Sequence, residues 1–195
     1  MEKKSIYKKA RKLNFSILEN GKEFKRKTLS KQRNRKKISE YGLQLNEKQK
    51  IANLYNVQEK QFRRLFLKAR KNKSISTGLS LFRIFEKMLS NIVFRSGFAR
   101  TRKEARQLIN HEHILVNNKK VNCPSYLCKI NDIISVNDKI KDVIKERIKE
   151  IKTFFPTVKV DKDNVSSCFI REPERNELSK DIDENLIIEW YNRRI

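Results

Sequence analysis

The chain has 195 residues, a formal net charge of +24 and 37% hydrophobic residues, enough for a compact core in one domain or two small ones. Its three cysteines are an odd number without a tight pair, which argues against a disulfide framework. No apolar run approaches the roughly 18 residues of a membrane span. A charge this large favours an anionic polymer or a membrane surface as the partner.

The positive charge is concentrated in the first part of the chain. Residues 1–40 contain 15 Lys/Arg and 4 Asp/Glu, residues 41–110 contain 16 and 4, and residues 111–195 contain 16 and 15. This distribution predicts a cationic binding surface up to residue 110, followed by a structural remainder.

Residues 1–40 are typical of a basic extended arm. The segments KKARK, KEFKRK and KQRNRKK contain few apolar residues and no sustained period, so charge repulsion is expected to keep the arm extended in free solution. Apolar residues then recur at helical spacing over residues 46–71, which predicts two helices with a break near Asn56.

A wide apolar stripe follows in LSLFRIFEKMLSNIVFRSG, residues 79–97, and predicts helical structure. Gly97 stands where a helix C-terminus favours a left-handed residue. TRKE, residues 101–104, matches a capping box, in which the Thr101 hydroxyl accepts from the Glu104 amide and the Glu104 carboxylate reaches back to the Thr101 amide. The helix that begins here is expected to bury Ala105, Leu108 and Ile109 and to expose Arg102, Lys103, Arg106 and Gln107.

The remaining segments predict short strands and further helices. ILVNNKKVN, residues 114–122, reads as strand, turn and strand, because Asn117 and Asn118 tolerate the positive φ of a tight hairpin turn. IISV (133–136) predicts a third strand, and VKV and SCFI predict strand fragments. KIKDVIKERIKEIKTFF and NLIIEWY carry apolar residues at helical spacing.

Metal binding and catalysis find little support. His111 and His113 lie two residues apart and Cys123 and Cys128 have a C-x4-C spacing, but a zinc site needs about four ligands. Packing or RNA-facing roles are therefore expected for the histidines. There is no Gly-rich phosphate loop and no G-x-S-x-G turn. The carboxylates of REPERNELSKDIDEN alternate with arginines, which indicates surface ion pairs rather than an acid–base pair.

The basic segment around residues 95–111 is the strongest binding signal. Glu104 is its only acid, and the N-terminus of the predicted helix adds free amides and partial positive charge. With Lys119 and Lys120 in the following hairpin, the segment predicts a concave cationic surface for a sugar-phosphate backbone, of RNA or DNA. Its Arg, Asn, Gln and Ser residues favour structured RNA modestly.

These residues resemble a known family. IVFRSGFARTRKEARQLINHEHILVNNKKVNCPSYLCKINDIISV is similar to the small RNA-binding domain named after ribosomal small-subunit protein four. SEYGLQLNEKQK (39–50), QEKQFRRLFLKARK (58–71) and REPERNEL…IDENLIIEWY resemble that ribosomal protein itself, in its bacterial and organellar form. The matching positions of the domain are Arg95, Gly97, Phe98, Ala99, Thr101, Arg102, Ala105, Arg106, Gln107, Leu108, His111, Val116, Asn117, Pro124, Ser125, Tyr126 and Asp132.

The sequence departs from the family pattern at three places. Met88, Leu89 and Ser90 replace the Arg-Leu-Asp that usually ends the helix before the domain. Asn118 replaces the usual glycine of the hairpin turn. No cysteine precedes Cys123, so the zinc cluster that some members carry in the arm is not expected.

The resemblance implies an α+β fold. A basic arm (1–40) and a helical domain (41–85, completed by 181–195) surround an inserted RNA-binding domain (86–180), in which a helix-turn-helix-like pair packs on a short antiparallel sheet. The RNA-binding residues that we expect are Arg63, Arg64, Lys68, Arg70, Arg95, Arg100, Thr101, Arg102, Lys103, Arg106, Gln107, His111, Asn117, Lys119, Lys120, Ser125 and Tyr126.

The function that the resemblance implies is structural. The chain would be a constituent of the small ribosomal subunit, not an enzyme, that binds small-subunit ribosomal RNA at a multi-helix junction, initiates assembly and lines the region where messenger RNA enters. Its partners would be these two RNAs and small-subunit proteins three and five, with no cofactor, metal or membrane.

Other functions and several origins stay open. The alternatives are a stand-alone RNA-binding-domain protein, an RNA-modifying enzyme that carries the same domain, and an electrostatic binder of DNA or membranes. The Lys, Asn and Ile bias and the organelle-type likeness favour a plastid (apicoplast-like) ribosome, with a mitochondrion or a bacterial cytoplasm as alternatives.

Overall fold

The protein forms two compact units, and the chain crosses between them twice. In this computed structural model, Met1–Leu79 and Ser179–Ile195 make the first unit and Ser80–Leu178 makes the second. The domain ranges expected from the sequence, with boundaries at residues 85 and 180, stay a prediction. The structure describes residues 6–19, 38–151, 154–179 and 181–193. No helix within these ranges has the length and apolar character that crossing a membrane requires.

The first unit is helical. Three of its described helices begin at side-chain caps. The Ser39 hydroxyl accepts from the Gly42 amide at 3.2 Å, the Ser76 hydroxyl from the Leu79 amide at 3.2 Å, and the Asp183 carboxylate from the Asn185 amide at 2.9 Å. Asn56, at φ 52°, separates the second and third helices as expected. The helices are α1 (Ile6–Leu13), α2 (Glu40–Leu54), α3 (Glu59–Lys71), the start of α4 (Thr77–Glu86) and α8 (Glu184–Asn192).

The C-terminal helix completes the core of this unit. The Tyr191 ring stacks on Phe62 and Phe66, with ring centroids 5.4 Å and 4.6 Å apart, and its hydroxyl donates to Glu59 at 3.1 Å. Glu59 also accepts from the buried Lys48 ammonium at 2.6 Å. Aromatic contacts of this kind stabilise the fold beyond the burial of their apolar area, and the shared carboxylate pairs with the buried Lys48 ammonium.

Residues 6–13 are helical, so the expectation of an extended arm is wrong for them. Ala10 of α1 is fully buried, and Phe15 and Ile17, just beyond the helix, are buried as well. These apolar residues offset the charge repulsion that the high density of lysine and arginine suggested. The arm expectation for residues 20–37 lies outside the described residues.

The second unit combines helices with a five-stranded antiparallel sheet of order β2-β1-β3-β5-β4. This confirms the α+β fold class. Beyond α4, its helices are α5 (Leu89–Arg95), α6 (Arg102–Asn110) and α7 (Asp138–Lys149). Its strands are β1 (Ile114–Val116), β2 (Lys119–Lys120), β3 (Ile133–Val136), β4 (Val158–Asp161) and β5 (Ser166–Phe169).

One face of the sheet packs against the hydrophobic core. Side chains alternate across a strand, so Ile114 and Val116 of β1 and Ile134 and Val136 of β3 point to the same side, and all four are buried. They join one hydrophobic cluster with residues of α5, α6 and α7, among them Val93, Ala105, Ile109, Ile144 and Ile148. The sheet thereby fixes the place of α6, the helix with the strongest binding signal.

The apolar stripe at residues 79–97 is interrupted at Met88, where α4 gives way to α5. The first amides of α5 are capped by distant backbone: Leu89 N donates to the Tyr126 carbonyl at 2.8 Å and Ser90 N to the Pro124 carbonyl at 3.1 Å. The Pro-Ser-Tyr segment of the family pattern therefore has a structural role in this fold.

Gly97 tests the left-handed backbone at the end of α5. Its φ is +76°, as expected, and a methyl group there would overlap Ile151 Cδ1. Gly97→Ala should lower the free energy of opening of α5 by about 1–2 kcal/mol, measured by amide hydrogen exchange. Gly42→Ala, in the first turn of α2, should not lower the corresponding value for α2. A helix accepts Ala, and the Ile38 methyl 2.8 Å from the added Cβ belongs to an exposed side chain that can move away. Equal protection in the Gly97 variant would contradict the assignment.

Cys128 should make stability fall at alkaline pH. Burial, assisted by the nearby Asp132 charge, raises the pKa of its thiol from 9.0 to about 12. Because the unfolded thiol ionises first, stability is full below pH 9 and declines between about pH 9 and 12, by up to about 1.4 kcal/mol per pH unit.

Urea unfolding at pH 8 and pH 10.5 measures this effect. The unsubstituted chain should lose about 2 kcal/mol more than Cys128→Ala over this interval, because the variant lacks the thiol. Cys123→Ala removes an exposed thiol and should behave as the unsubstituted chain does. Parallel pH profiles of the unsubstituted chain and Cys128→Ala would refute the effect.

Candidate nucleic-acid interface

The N-terminus of α6 holds a carboxylate of the protein itself. Thr101 accepts from the Glu104 amide at 3.2 Å, as the capping box predicts. The prediction that the Glu104 carboxylate accepts from the Thr101 amide is wrong. Glu104 Oε2 accepts from the Arg100 amide at 2.7 Å, and Oε1 accepts from Arg147 Nη1 at 2.9 Å. The Glu104 carboxylate therefore puts a negative charge in the first turn of α6, which offsets the positive potential expected there, and we assign no phosphate to this helix end.

Arg102 is buried, so its expected place on the exposed side of α6 is wrong. Only 6% of the residue is exposed. Its Nε donates to Asn91 Oδ1 at 2.7 Å, and its guanidinium lies 4.4 Å from the Phe94 ring centroid. Asn91 Nδ2 in turn donates to Glu86 Oε2. Two polar side chains inside an apolar stripe thus provide the partners that let this arginine leave water.

Arg95 belongs to the same group. Its side chain is 13% exposed, its Nη2 lies 3.2 Å from Glu86 Oε1, and its guanidinium lies 4.0 Å from the Phe155 ring centroid. We call Glu86, Asn91, Arg95 and Arg102 the buried polar network. It joins α4, α5 and α6 and uses two of the arginines that the sequence assigned to RNA.

The exposed side of α6 carries the other predicted residues. Lys103, Gln107 and the C-cap His111 are exposed and four residues apart, so they share one helix face. Arg100 is exposed before the helix begins, whereas Thr101 and Arg106 are half-buried. Lys119 and Lys120 are exposed on the edge strand β2.

The predicted polar residues of the hairpin and of the following turn make contacts inside the protein. Asn117 Nδ2 donates to Asp132 Oδ1 at 2.9 Å, and Asn117 Oδ1 accepts from the Ile133 amide at 3.0 Å. Asn117 and Asn118 have φ values of 50° and 64°, which confirms the turn. Ser125 and Tyr126 lie in the segment that caps α5, and 37% of Tyr126 is exposed.

The first unit offers a second cationic surface on α3. The buried residues Phe62, Leu65, Phe66 and Ala69 occupy one side of the helix. The four predicted residues on the opposite side are all exposed, and within the described ranges none of them forms an ion pair with a carboxylate. We call this group the α3 cationic face: Arg63, Arg64, Lys68 and Arg70.

The acidic residues near the C-terminus form ion pairs, as the sequence indicates. Arg171 pairs with Glu177 and lowers the pKa of that carboxyl, and Arg83 lies 3.2 Å from Glu172. Among the described residues, no group of three or more His, Cys, Asp or Glu is placed to hold a metal ion. The absence of a metal site stays a prediction for the chain as a whole.

Sequence reasoning missed the residues that hold the cationic surfaces in place. Glu86 and Asn91 interrupt the apolar stripe at buried positions, and polar residues at such positions are the signal for a buried partner. Arg147 of α7 gave no local signal, yet it bridges the Phe98 carbonyl and Glu104 at 2.9 Å each.

Comparison with known proteins agrees with this architecture. The family model of the S4 domain matches residues 89–134, and that of the ribosomal protein S4/S9 N-terminal domain matches residues 2–86. The chain is thus an S4-domain protein with a ribosomal type of helical domain.

Several curated bacterial proteins are similar over nearly their whole length. The small ribosomal subunit protein uS4 of Mycoplasma capricolum is 47% identical over 201 residues, which cover 98% of this chain and 96% of the relative. The uS4 protein of Mesoplasma florum is 49% identical (98% and 97% covered), and that of Lactobacillus gasseri is 40% identical (97% and 96% covered). The chain belongs to the ribosomal protein S4 family.

Substitution of two neighbouring cations of α6 should have very different effects on stability. Arg102→Ala should lower the stability of the second unit by about 2 kcal/mol, because it leaves Asn91 Oδ1 buried without its donor. Lys103→Ala should change stability by less than about 0.5 kcal/mol. Amide hydrogen exchange in α5 and α6 measures both. An Arg102 variant as stable as the unsubstituted chain would show that the buried polar network contributes nothing to folding.

Proposed function

We propose that this chain is a structural constituent of the small ribosomal subunit that binds small-subunit ribosomal RNA. Family membership carries the proposal. The relatives named above are small ribosomal subunit proteins, and the chain is similar to them over nearly its whole length. The net charge of +24 and the exposed cations of both units support it physically.

Affinity in this proposal comes from counterion release at the exposed cations. Each phosphate that a lysine or arginine neutralises sets free condensed counterions, so affinity falls steeply with salt. The α3 cationic face contributes in the first unit. Lys103, Lys119 and Lys120 contribute in the second. Arg95 and Arg102 are needed for a different reason, since they hold the helices that present the surface.

In more detail, we propose that the chain binds a multi-helix junction of the RNA during assembly of the subunit. Two compact units with separate cationic surfaces suit an RNA in which different helices must be bound by one protein. We further propose that the α3 cationic face lies where messenger RNA enters the subunit. Small-subunit proteins three and five are its proposed neighbours.

The other functions receive less support. The structure assigns no catalytic acid–base pair among the described residues, so it lends a modifying enzyme no support. A binder of DNA by charge alone would lose duplex DNA and ribosomal RNA at the same salt concentration. The relatives are bacterial, which favours a bacterial ribosome over the plastid origin that composition suggested.

The salt dependence of RNA binding tests the α3 cationic face. Arg63→Gln with Arg64→Gln should reduce the log–log salt slope for small-subunit ribosomal RNA by about 1.5, since each phosphate contact contributes about 0.7–0.9. Filter binding between 50 and 300 mM salt, roughly the range over which such affinities change most, measures the slope.

Arg193→Gln is the control. It removes one positive charge, against two in the double variant, from an arginine that pairs with Glu40 at 2.7 Å, so the slope should stay nearly constant. If the double variant and the control have the slope of the unsubstituted chain, the α3 cationic face does not contact RNA. If the unsubstituted chain binds duplex DNA as well as ribosomal RNA at raised salt, the proposed function fails.

A further inference from the structure

A small cavity lies at the C-terminal end of α6. Its volume is about 240 Å³, and it is lined by Glu104, Gln107, Leu108, His111 and His113. The two imidazole rings are nearly parallel, with planes 8° apart and centroids 6.2 Å apart. The volume is below the roughly 300–1,000 Å³ typical of drug-sized ligands, so the cavity suits a single planar group.

Backbone hydrogen bonds fix the positions of the two histidines at the helix end. Glu112 N donates to the Ile109 carbonyl at 2.9 Å and His113 N to the Leu108 carbonyl at 3.0 Å, the bond pattern of a Schellman motif. Glu112 has φ 58°, the left-handed conformation that this motif requires and that a glycine usually supplies. The helix end therefore fixes the backbone positions from which both rings project.

The chemistry of the lining selects a base rather than a phosphate. No lysine or arginine lines the cavity. Both oxygens of Glu104 already accept, from the Arg100 amide and from Arg147. What remains are aromatic faces, the apolar Leu108 and the amide of Gln107, which has a donor and an acceptor for a base edge. Unpaired RNA bases are commonly read by stacking on such rings.

The position of the cavity suits a nucleotide in a bound strand. Gln107 and His111 lie on the same face of α6 as the exposed Lys103, one turn from Gln107. A base in the cavity would bring its phosphate toward this cation. We propose that His111, His113 and Gln107 form a receptor for one unpaired base of the bound RNA. The proposal rests on the proposed function, because it needs a bound RNA strand.

A matched pair of variants tests stacking on His111. His111→Leu keeps volume but removes the ring, and His111→Phe keeps the ring but removes the nitrogens. Stacking predicts that His111→Leu lowers affinity for full-length small-subunit ribosomal RNA roughly tenfold, while His111→Phe stays within about twofold. Chemical modification of the RNA base edges should show one nucleotide that the unsubstituted chain and His111→Phe protect and His111→Leu exposes.

The controls separate this proposal from folding and from the general function. Asn110→Ala, on an exposed neighbour outside the cavity, should keep both affinity and the protected base. Amide exchange in α6 should be equal in all variants. If His111→Leu and His111→Phe bind and protect as the unsubstituted chain does, or lose protection equally, stacking is refuted while salt-dependent RNA binding stands. If the unsubstituted chain does not bind the RNA, both proposals fail.

Discussion

The second unit depends on a buried group of charges that must all be satisfied together. Glu86 accepts from Arg95 and Asn91, and Asn91 accepts from Arg102. A charge taken out of water is costly, and the hydrogen bonds that Glu86 and Asn91 accept offset that cost. Because the first residue of α6 is held from inside in this way, the residues one, five and nine positions later are directed to solvent. The exposed face of α6, with Lys103, Gln107 and His111, is a consequence of a polar group that is almost entirely withdrawn from solvent.

Local signals predicted the parts of this fold that local physics determines. The Thr101 cap, the left-handed Gly97 and the Asn117–Asn118 turn are each decided within four residues, and the structure contains all three. The strands at residues 114–116 and 133–136, which the sequence also predicts, are present. What failed depends on distant partners. No residue next to Arg102 in the sequence indicates that Asn91 accepts its hydrogen bond. Likewise, no residue next to Met88 indicates that carbonyls more than thirty residues later cap α5.

The candidate interface shows the same division. Charge counting pointed to α6 and the family resemblance to α3, and the structure places exposed cations on both helices, while their contact with RNA stays a prediction. Charge counting could not distinguish arginines that face solvent from arginines used in packing, because the guanidinium group suits both roles. Its planar fork binds phosphate, and in this protein it also stacks on Phe94 or Phe155. Burial, and not residue type, distinguishes Arg102 from Lys103.

The closure of the helical core by α8 has a consequence for synthesis. Phe62 and Phe66 leave the peptide-synthesis machinery about 125 residues before Tyr191, the ring that covers them, and the whole of the second unit is made in between. All residues of the inserted unit are therefore synthesised before the helical core is complete. Until Tyr191 is made, the rings of Phe62 and Phe66 lack the ring that covers them. A nascent chain of this design needs protection at these rings until its last turn of helix emerges.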